Sequence, residues 1–357
     1  MHPQPALTGI HHVSLLALNL ERTVQFYVDV LGLRIVDPIL DDARSATDRV
    51  WLGGDRRRVI TITQSPDARP GEPGIGTIHH VGLAVASFDA LLKWKRWLQH
   101  NQILVYGPYD QQAYQDLVFT DPDGVLLEIA TQGPGWDGTQ DVENVYSPPK
   151  ESMAPYRNEE LISIQTWPHP VTQIEPDMAL QGLHHIATIT SSLERTDAFY
   201  REVLALPLVR KTVDSDDPEV ERWYWGLDGG RPGTLVMAFP IVHPQEGGKA
   251  VYGRVGPGVA LHYALDVGSP EALQDQVSSL SVAGMEVTPV LDEAGSPAVS
   301  LPDPDGQVIE LVTADPRLST GEPAGASHRI QGGRTADPAS ASGGVGNPEG
   351  KPEDRRR

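Results

Sequence analysis

A short apolar segment bearing adjacent histidines recurs along this chain, and no other feature of the sequence restricts its fold so strongly. Gly9-Ile10-His11-His12-Val13-Ser14-Leu15 returns as Thr77-Ile78-His79-His80-Val81-Gly82-Leu83 and as Gly182-Leu183-His184-His185-Ile186-Ala187-Thr188. Ala260-Leu261-His262-Tyr263-Ala264-Leu265 is a fourth, weaker copy. Each copy is apolar and rich in branched residues, as a strand requires.

A helical stretch follows each copy. Leu20-Glu21-Arg22-Thr23 leads into Val24, Tyr27, Val28 and Leu31 at helical spacing, closed by Gly32, and Leu193-Glu194-Arg195-Thr196 repeats the wording before Phe199, Tyr200 and Val203. Ser87 is the expected N-cap for a helix carrying Leu91, Trp94 and Leu98. Ser269 followed by Pro270 opens another with Leu273, Val277 and Leu280. Strand-like segments come next, among them Val59–Thr63 and Gly233–Phe239. The repeating unit is therefore strand–helix–strands, roughly 55–65 residues long and used four times.

The second and fourth copies agree further. Both end in Asp-Pro-Asp-Gly and an acidic strand: Asp121 to Glu128 in one, Asp303 to Glu310 in the other. Glu128 follows His80 by 48 positions, and Glu310 follows His262 by the same number. Aligning the strands sets His262 on His80, the second histidine of its doublet, and so selects His12 and His185 in the odd copies. Residues 1–132 hold the first two units, 133–179 read as a linker without clear period, and 180–315 hold the last two. The stretch 316–357, rich in Gly, Ser, Ala and Pro, lacks the apolar residues to offset ordering entropy and is expected to be disordered.

Composition limits the chemistry. The formal charge of −20 opposes sequence-independent binding to nucleic acid and to anionic membranes. With no cysteine there are neither disulfides nor thiolate ligands, so a metal must sit on histidine and carboxylate. Neither a signal peptide nor a membrane span of roughly 20 apolar residues is legible, and the cytoplasm is the default expectation.

Neighbouring side chains on a strand face opposite ways, so one histidine of each doublet can face a given cavity. One histidine in an apolar strand is ordinarily structural; four at equivalent positions, two with a glutamate at fixed spacing, point to metal. Glu128 and Glu310 lie among apolar residues, where an unpaired carboxylate costs several kcal/mol and a cation is the simplest partner. Two histidines and one carboxylate cap one face of an octahedral ion and leave the rest open, as Fe(II) enzymes that bind substrate and O2 together require. The expected ligands are His12, His80, Glu128, His185, His262 and Glu310. Neighbouring units pairing gives His12/His80/Glu128 and His185/His262/Glu310.

These modules resemble the glyoxalase / bleomycin-resistance / extradiol-dioxygenase superfamily of paired βαβββ units, across about residues 8–131 and 180–315. Within it the chain is most similar to ring-cleaving dioxygenases of hydroquinone- or catechol-like substrates. Arg210 to Pro218 and Gly230 to Thr234 resemble that family's opening module; Ile78-His79-His80 and Leu127 to Trp136 resemble its closing module. The order is shifted, and Val118 stands where a tyrosine is usual. The resemblance implies an α+β fold of four modules in two barrel-like halves of curved mixed sheet with outer helices. It also implies a crossed ligand pairing, His185 with His80/Glu128 and His12 with His262/Glu310. It implies Fe(II), with Mn(II) the alternative, a small aromatic diol and O2 as substrates, and leaves homo-oligomerisation open. His11, His79 and His184 then flank the ligands as acid/base or hydrogen-bond groups, or face the opposite layer. Tyr114 is read as a substrate contact.

Two other readings compete. A glyoxalase I-like isomerase or lyase would draw a further carboxylate from the last strand of an odd module, yet Val59–Gln64 and Leu235–Phe239 contain none. A non-catalytic binder of an aromatic compound or drug needs no ligand set at all.

Overall fold

The computed structural model describes residues 7–38, 49–54, 57–136, 141–146, 159–214, 217–240, 250–291 and 297–313. The terminal stretch expected to be disordered lies outside them. The first module comprises β1 (Gly9–Ala17), α1 (Leu20–Gln25), β2 (Arg34–Pro38), β3 (Arg49–Gly54) and β4 (Arg57–Gln64). The second comprises β5 (Thr77–Val85), α2 (Phe88–His100), β6 (Tyr106–Asp110), β7 (Gln115–Thr120) and β8 (Leu126–Thr131). After β9 (Val145–Tyr146) and α3 (Glu159–Ile164), the third holds β10 (Leu183–Thr190), α4 (Leu193–Ala198), β11 (Leu208–Val213), β12 (Glu221–Trp225) and β13 (Leu235–Pro240). The fourth holds β14 (His262–Asp266), α5 (Pro270–Val282), β15 (Thr288–Leu291), β16 (Pro297–Pro302) and β17 (Val308–Val312).

The helix starts follow from their caps. Asn19, Ser87, Ser192 and Ser269 each accept a hydrogen bond from the backbone N–H three residues on, satisfying a donor that the first turn leaves open. In the odd modules the helix widens into a π-type turn at Phe26–Val30 and Phe199–Val203, which the repeated spacing does not reveal.

Each module runs first strand–last strand–third–second, the first and last being parallel. The crossed pairing is the one realised. β1 lies antiparallel to β14, joining the first module to the fourth in an eight-stranded sheet. β5 lies antiparallel to β10, joining the second to the third in a nine-stranded sheet. The ninth strand is β9, from the stretch read as a linker, which pairs parallel with β11. Both are curled mixed sheets, and the α+β architecture of four modules in two halves stands.

Consecutive modules are tied by the Asp-Pro-Asp-Gly turns. Asp121 Oδ1 accepts from the backbone N–H groups of Asp123, Gly124 and Val125, and Asp303 Oδ1 from those of Asp305 and Gln307. The second aspartate of each turn grips the preceding module where its first strand leads into the Leu-Glu-Arg-Thr segment. Asp123 meets Thr23 Oγ1 at 2.5 Å and Arg22 Nη2 at 2.7 Å; Asp305 meets Arg195 Nη2 at 2.8 Å and Thr190 Oγ1 at 2.7 Å. Sheets thus join modules one way and turns join them the other. No helix among the described residues is long and apolar enough to cross a membrane.

Candidate metal centres

The sheet joint brings the selected histidines together. In the nine-stranded sheet Gly82 of β5 lies opposite both Glu128 on β8 and His185 on β10, and His80 lies two residues before it on the same face. His80 Nε2 and His185 Nε2 are 2.9 Å apart, and Glu128 is 3.4 Å from each. Ligand atoms roughly 2.1 Å from one ion and at right angles around it stand about 3 Å apart, so this triangle fits a face of an octahedron.

Gly82 makes the approach possible. A Cβ there would come within 2.4 Å of His185 Nδ1, closer than real side-chain carbons tolerate.

In the eight-stranded sheet Ala264 lies opposite both His12 and Glu310, and His12, His262 and Glu310 form the second group. His262 Nε2 lies 3.5 Å from Glu310 Oε2, and neither atom has a hydrogen-bond partner among the described residues. Buried polar atoms without partners are rare in folded proteins, and a cation between them resolves both. In each group one ligand atom per residue lies within 4.8 Å of the others. The six residues selected from the repeat therefore converge in two triads.

Burial sets the protonation states of the first triad. It lowers the His80 imidazole well below its ordinary value, helped by His185, His79 and Arg222, and lowers His185 to about 3, helped by Arg222. Both rings are neutral at pH 7, so each can offer a lone pair, and their contacts with Glu128 are not ion pairs. Burial raises Glu128 to about 7, against the opposing pull of Arg222.

The first histidines of the doublets meet the second ones through their other ring nitrogen. Nδ1–Nδ1 separations are 2.8 Å for His11/His12, His79/His80 and His184/His185. With the second histidine's Nδ1–H as the donor, such a contact leaves its Nε2 lone pair for a metal. Burial holds His79 down at about 4 and His184 well below its usual range. Tyr114 is buried with its ring 4.7 Å from His184 and 5.4 Å from His185.

Several groups beside the first triad escaped the sequence reading. Asp116 on β7 is fully buried, two residues from Val118, which stands opposite Glu128 in the strand register. Arg222 and Tyr224 alternate on β12, with Arg222 paired to Asp214 and to Gln111 Oε1 at 3.1 Å. Burial raises Tyr224 to about 12 against the opposing pull of Arg222, and Trp136 lies 5.0 Å from its ring. The period-two alternation of Arg222 and Tyr224 was a legible signal that they share a face.

The model for the Glyoxalase/Bleomycin resistance protein/Dioxygenase superfamily matches residues 9–129 and 182–311. MhqO of Bacillus subtilis (strain 168), whose name assigns it provisionally to the ring-cleaving dioxygenases, is 31% identical over 131 residues, 37% of this chain and 39% of MhqO. The chlorohydroquinone/hydroquinone 1,2-dioxygenase of Sphingobium indicum is 30% identical over 138 residues, 38% of this chain and 41% of the relative. The matched region thus spans about two fifths of each of these relatives. A crystal structure of a provisionally assigned dioxygenase from Bacillus subtilis superposes with a TM-score of 0.66 at 20% identity, covering 90% of this chain and 89% of the other. With both pairs of modules matched, the chain belongs to the Glyoxalase/Bleomycin resistance protein/Dioxygenase superfamily.

Proposed function

We propose that this protein is a non-haem Fe(II)-dependent, extradiol-type dioxygenase that opens a small dihydroxylated aromatic ring with O2, at the His80/Glu128/His185 site. The observation that carries the reading is the triangle of 2.9, 3.4 and 3.4 Å formed by three buried ligand atoms. It stands beside an aromatic wall of Tyr114, Tyr224 and Trp136. Fe(II) bound there would supply vacant positions for a diol and O2 and a route for electrons between them. The ring supplies the electrons and both oxygen atoms remain in the opened product, so no outside reductant is needed. Mn(II) suits the same donors. His12, His262 and Glu310 take a second ion in this reading, and a second triad need not mean a second active site.

The chain's own residues prepare the reaction. His80 and His185 are held neutral by burial and present Nε2, while His79 and His184 hold their Nδ1 atoms. Low basicity gives His79 and His184 an orienting role in preference to general-base work. Tyr114 and Tyr224 supply phenol groups beside the site, both pushed up in pKa by burial, Tyr224 to about 12, so they remain donors at neutral pH. Apolar side chains such as Met237 and Phe239 exclude water.

Asp116 gives the isomerase reading one observation of its own, because it adds a second carboxylate beside Glu128. Oxygen consumption separates the two. Iron-loaded protein consuming O2 with catechols or hydroquinones supports the dioxygenase; turnover of a thiol adduct of methylglyoxal without O2 uptake replaces it with the isomerase.

A further inference from the structure

Beside the first triad, one wall of the nine-stranded sheet carries more hydrogen-bond donors than the described residues satisfy. Tyr224 touches Trp136, lies two residues from Arg222 on the same face of β12, and stands opposite Arg210 in the strand register. The Arg210 guanidinium lies 5.9 Å from the Trp136 ring. Arg222 uses Nη1 on Gln111 and Nη2 on Asp214, yet its Nε is buried with no partner among the described residues. The Trp136 indole N–H is likewise buried and has no acceptor among them. Two unaccepted donors, one on a guanidinium, belong to residues grouped around Tyr224, and each is open to an acceptor that a ligand brings. The backing is already fixed, since Asp214 and Gln111 hold the guanidinium in place.

We infer that this wall is a specificity site that selects aromatic diols bearing a carboxylate, with Arg222 Nε and Trp136 Nε1 as its donors. The inference deepens the reading given above and rests on it for the identity of the ring. A charged guanidinium bonded to carboxylate in a buried setting discriminates by about tenfold or more against the same ring without the acid. The unsubstituted diol leaves both donors unmet.

The experiment is anaerobic calorimetric titration of the iron-loaded, full-length protein at pH 7.5. Catechol is compared with 3,4-dihydroxybenzoate, and hydroquinone with 2,5-dihydroxybenzoate. Benzoate is titrated into metal-free protein as a probe of the wall without chelation. The expected result is a carboxylate preference of at least about tenfold in Kd for one pair or both, and measurable benzoate binding. Arg222→Gln/Asp214→Asn, which removes both charges together, brings the ratio close to one. Trp136→Phe keeps the ring, removes one donor and lowers the ratio about threefold, a second reading should the double variant misfold. A wild-type ratio near one, or a ratio that survives in both variants, overturns the inference. Oxygen uptake is scored separately: a preserved preference without ring opening upholds the wall and removes the reaction assigned to the triad. Ring opening with a ratio near one does the reverse.

Discussion

The two triads come from one repeated design and differ in what surrounds them. At the first, Gly82 leaves room for the His185 ring; at the second, Ala264 occupies the matching register and carries a Cβ. The paired histidine rings are accordingly closer in the first, with centroids 5.0 Å apart for His80/His185 and 5.8 Å for His12/His262. The walls diverge more. Tyr224, Met237, Phe239 and Asp116 of the first correspond in register to Trp51, Thr61, Thr63 and Ala298 of the second. One site has an aromatic and ionisable lining, while the other has Trp51 packed 4.7 Å from the His12 ring. The same three residue types stand in both triads, and only the first has the aromatic surroundings on which the proposed function rests.

The largest expected effect comes from removing a carboxylate. Glu128→Ala should lower bound metal from two ions per chain to one and abolish turnover, while Glu310→Ala should lower the metal count alone. Elemental analysis alongside activity checks both, and loss of turnover in Glu310→Ala would erase the proposed division between the sites.

Gly82→Ala comes next. The added carbon must push His185 aside, so metal affinity at the first site should fall by roughly 10–100-fold, the range seen when ligand orientation is disturbed. Ala264→Gly, which only opens space, should change the second site by less than about threefold. Equal effects of the two substitutions would show that the glycine is not what separates the sites.

A smaller effect concerns pH. In metal-free protein Glu128 has its carboxyl raised from 4.5 to about 7. Its contribution to stability is fully present below about 4.5 and is lost as pH rises through 7, on the order of 3 kcal/mol. His185, lowered from 6.5 to about 3, acts oppositely: its contribution is present above 6.5 and is lost as pH falls toward 3. The Tm of chelator-treated protein should therefore fall between pH 6.5 and 8, and Glu128→Gln should flatten that fall. Because a metal takes ionised Glu128, the rise in Tm on adding metal should grow over the same interval. An unchanged slope in Glu128→Gln would assign the pH dependence to other groups.

The repeat made the candidate ligands legible because four strands share one pattern and two glutamates keep one spacing. What it left open was which modules share a sheet. His12, His80 and Glu128 can be grouped with neighbours in sequence or across the chain, and only the β1–β14 and β5–β10 joints decide. The role of Gly82 was hidden for the same reason, since the ring it accommodates lies on another strand 103 positions away. Asp116 and Arg222 lie on strands whose inner face depends on that joint. Trp136 lies at the edge of a stretch read as linker, yet it packs against Tyr224. The strands β9 and β11 meet through backbone bonds, which carry little sequence signature.

The central claim is most directly tested by oxygen uptake. Protein purified anaerobically and stripped of metal would be reloaded with Fe(II) and given catechol, hydroquinone and their carboxylated forms. Uptake of one O2 per ring opened, absent without iron and absent in Glu128→Ala, is the predicted result. No oxygen consumption by the fully loaded protein with any of these diols would contradict the account.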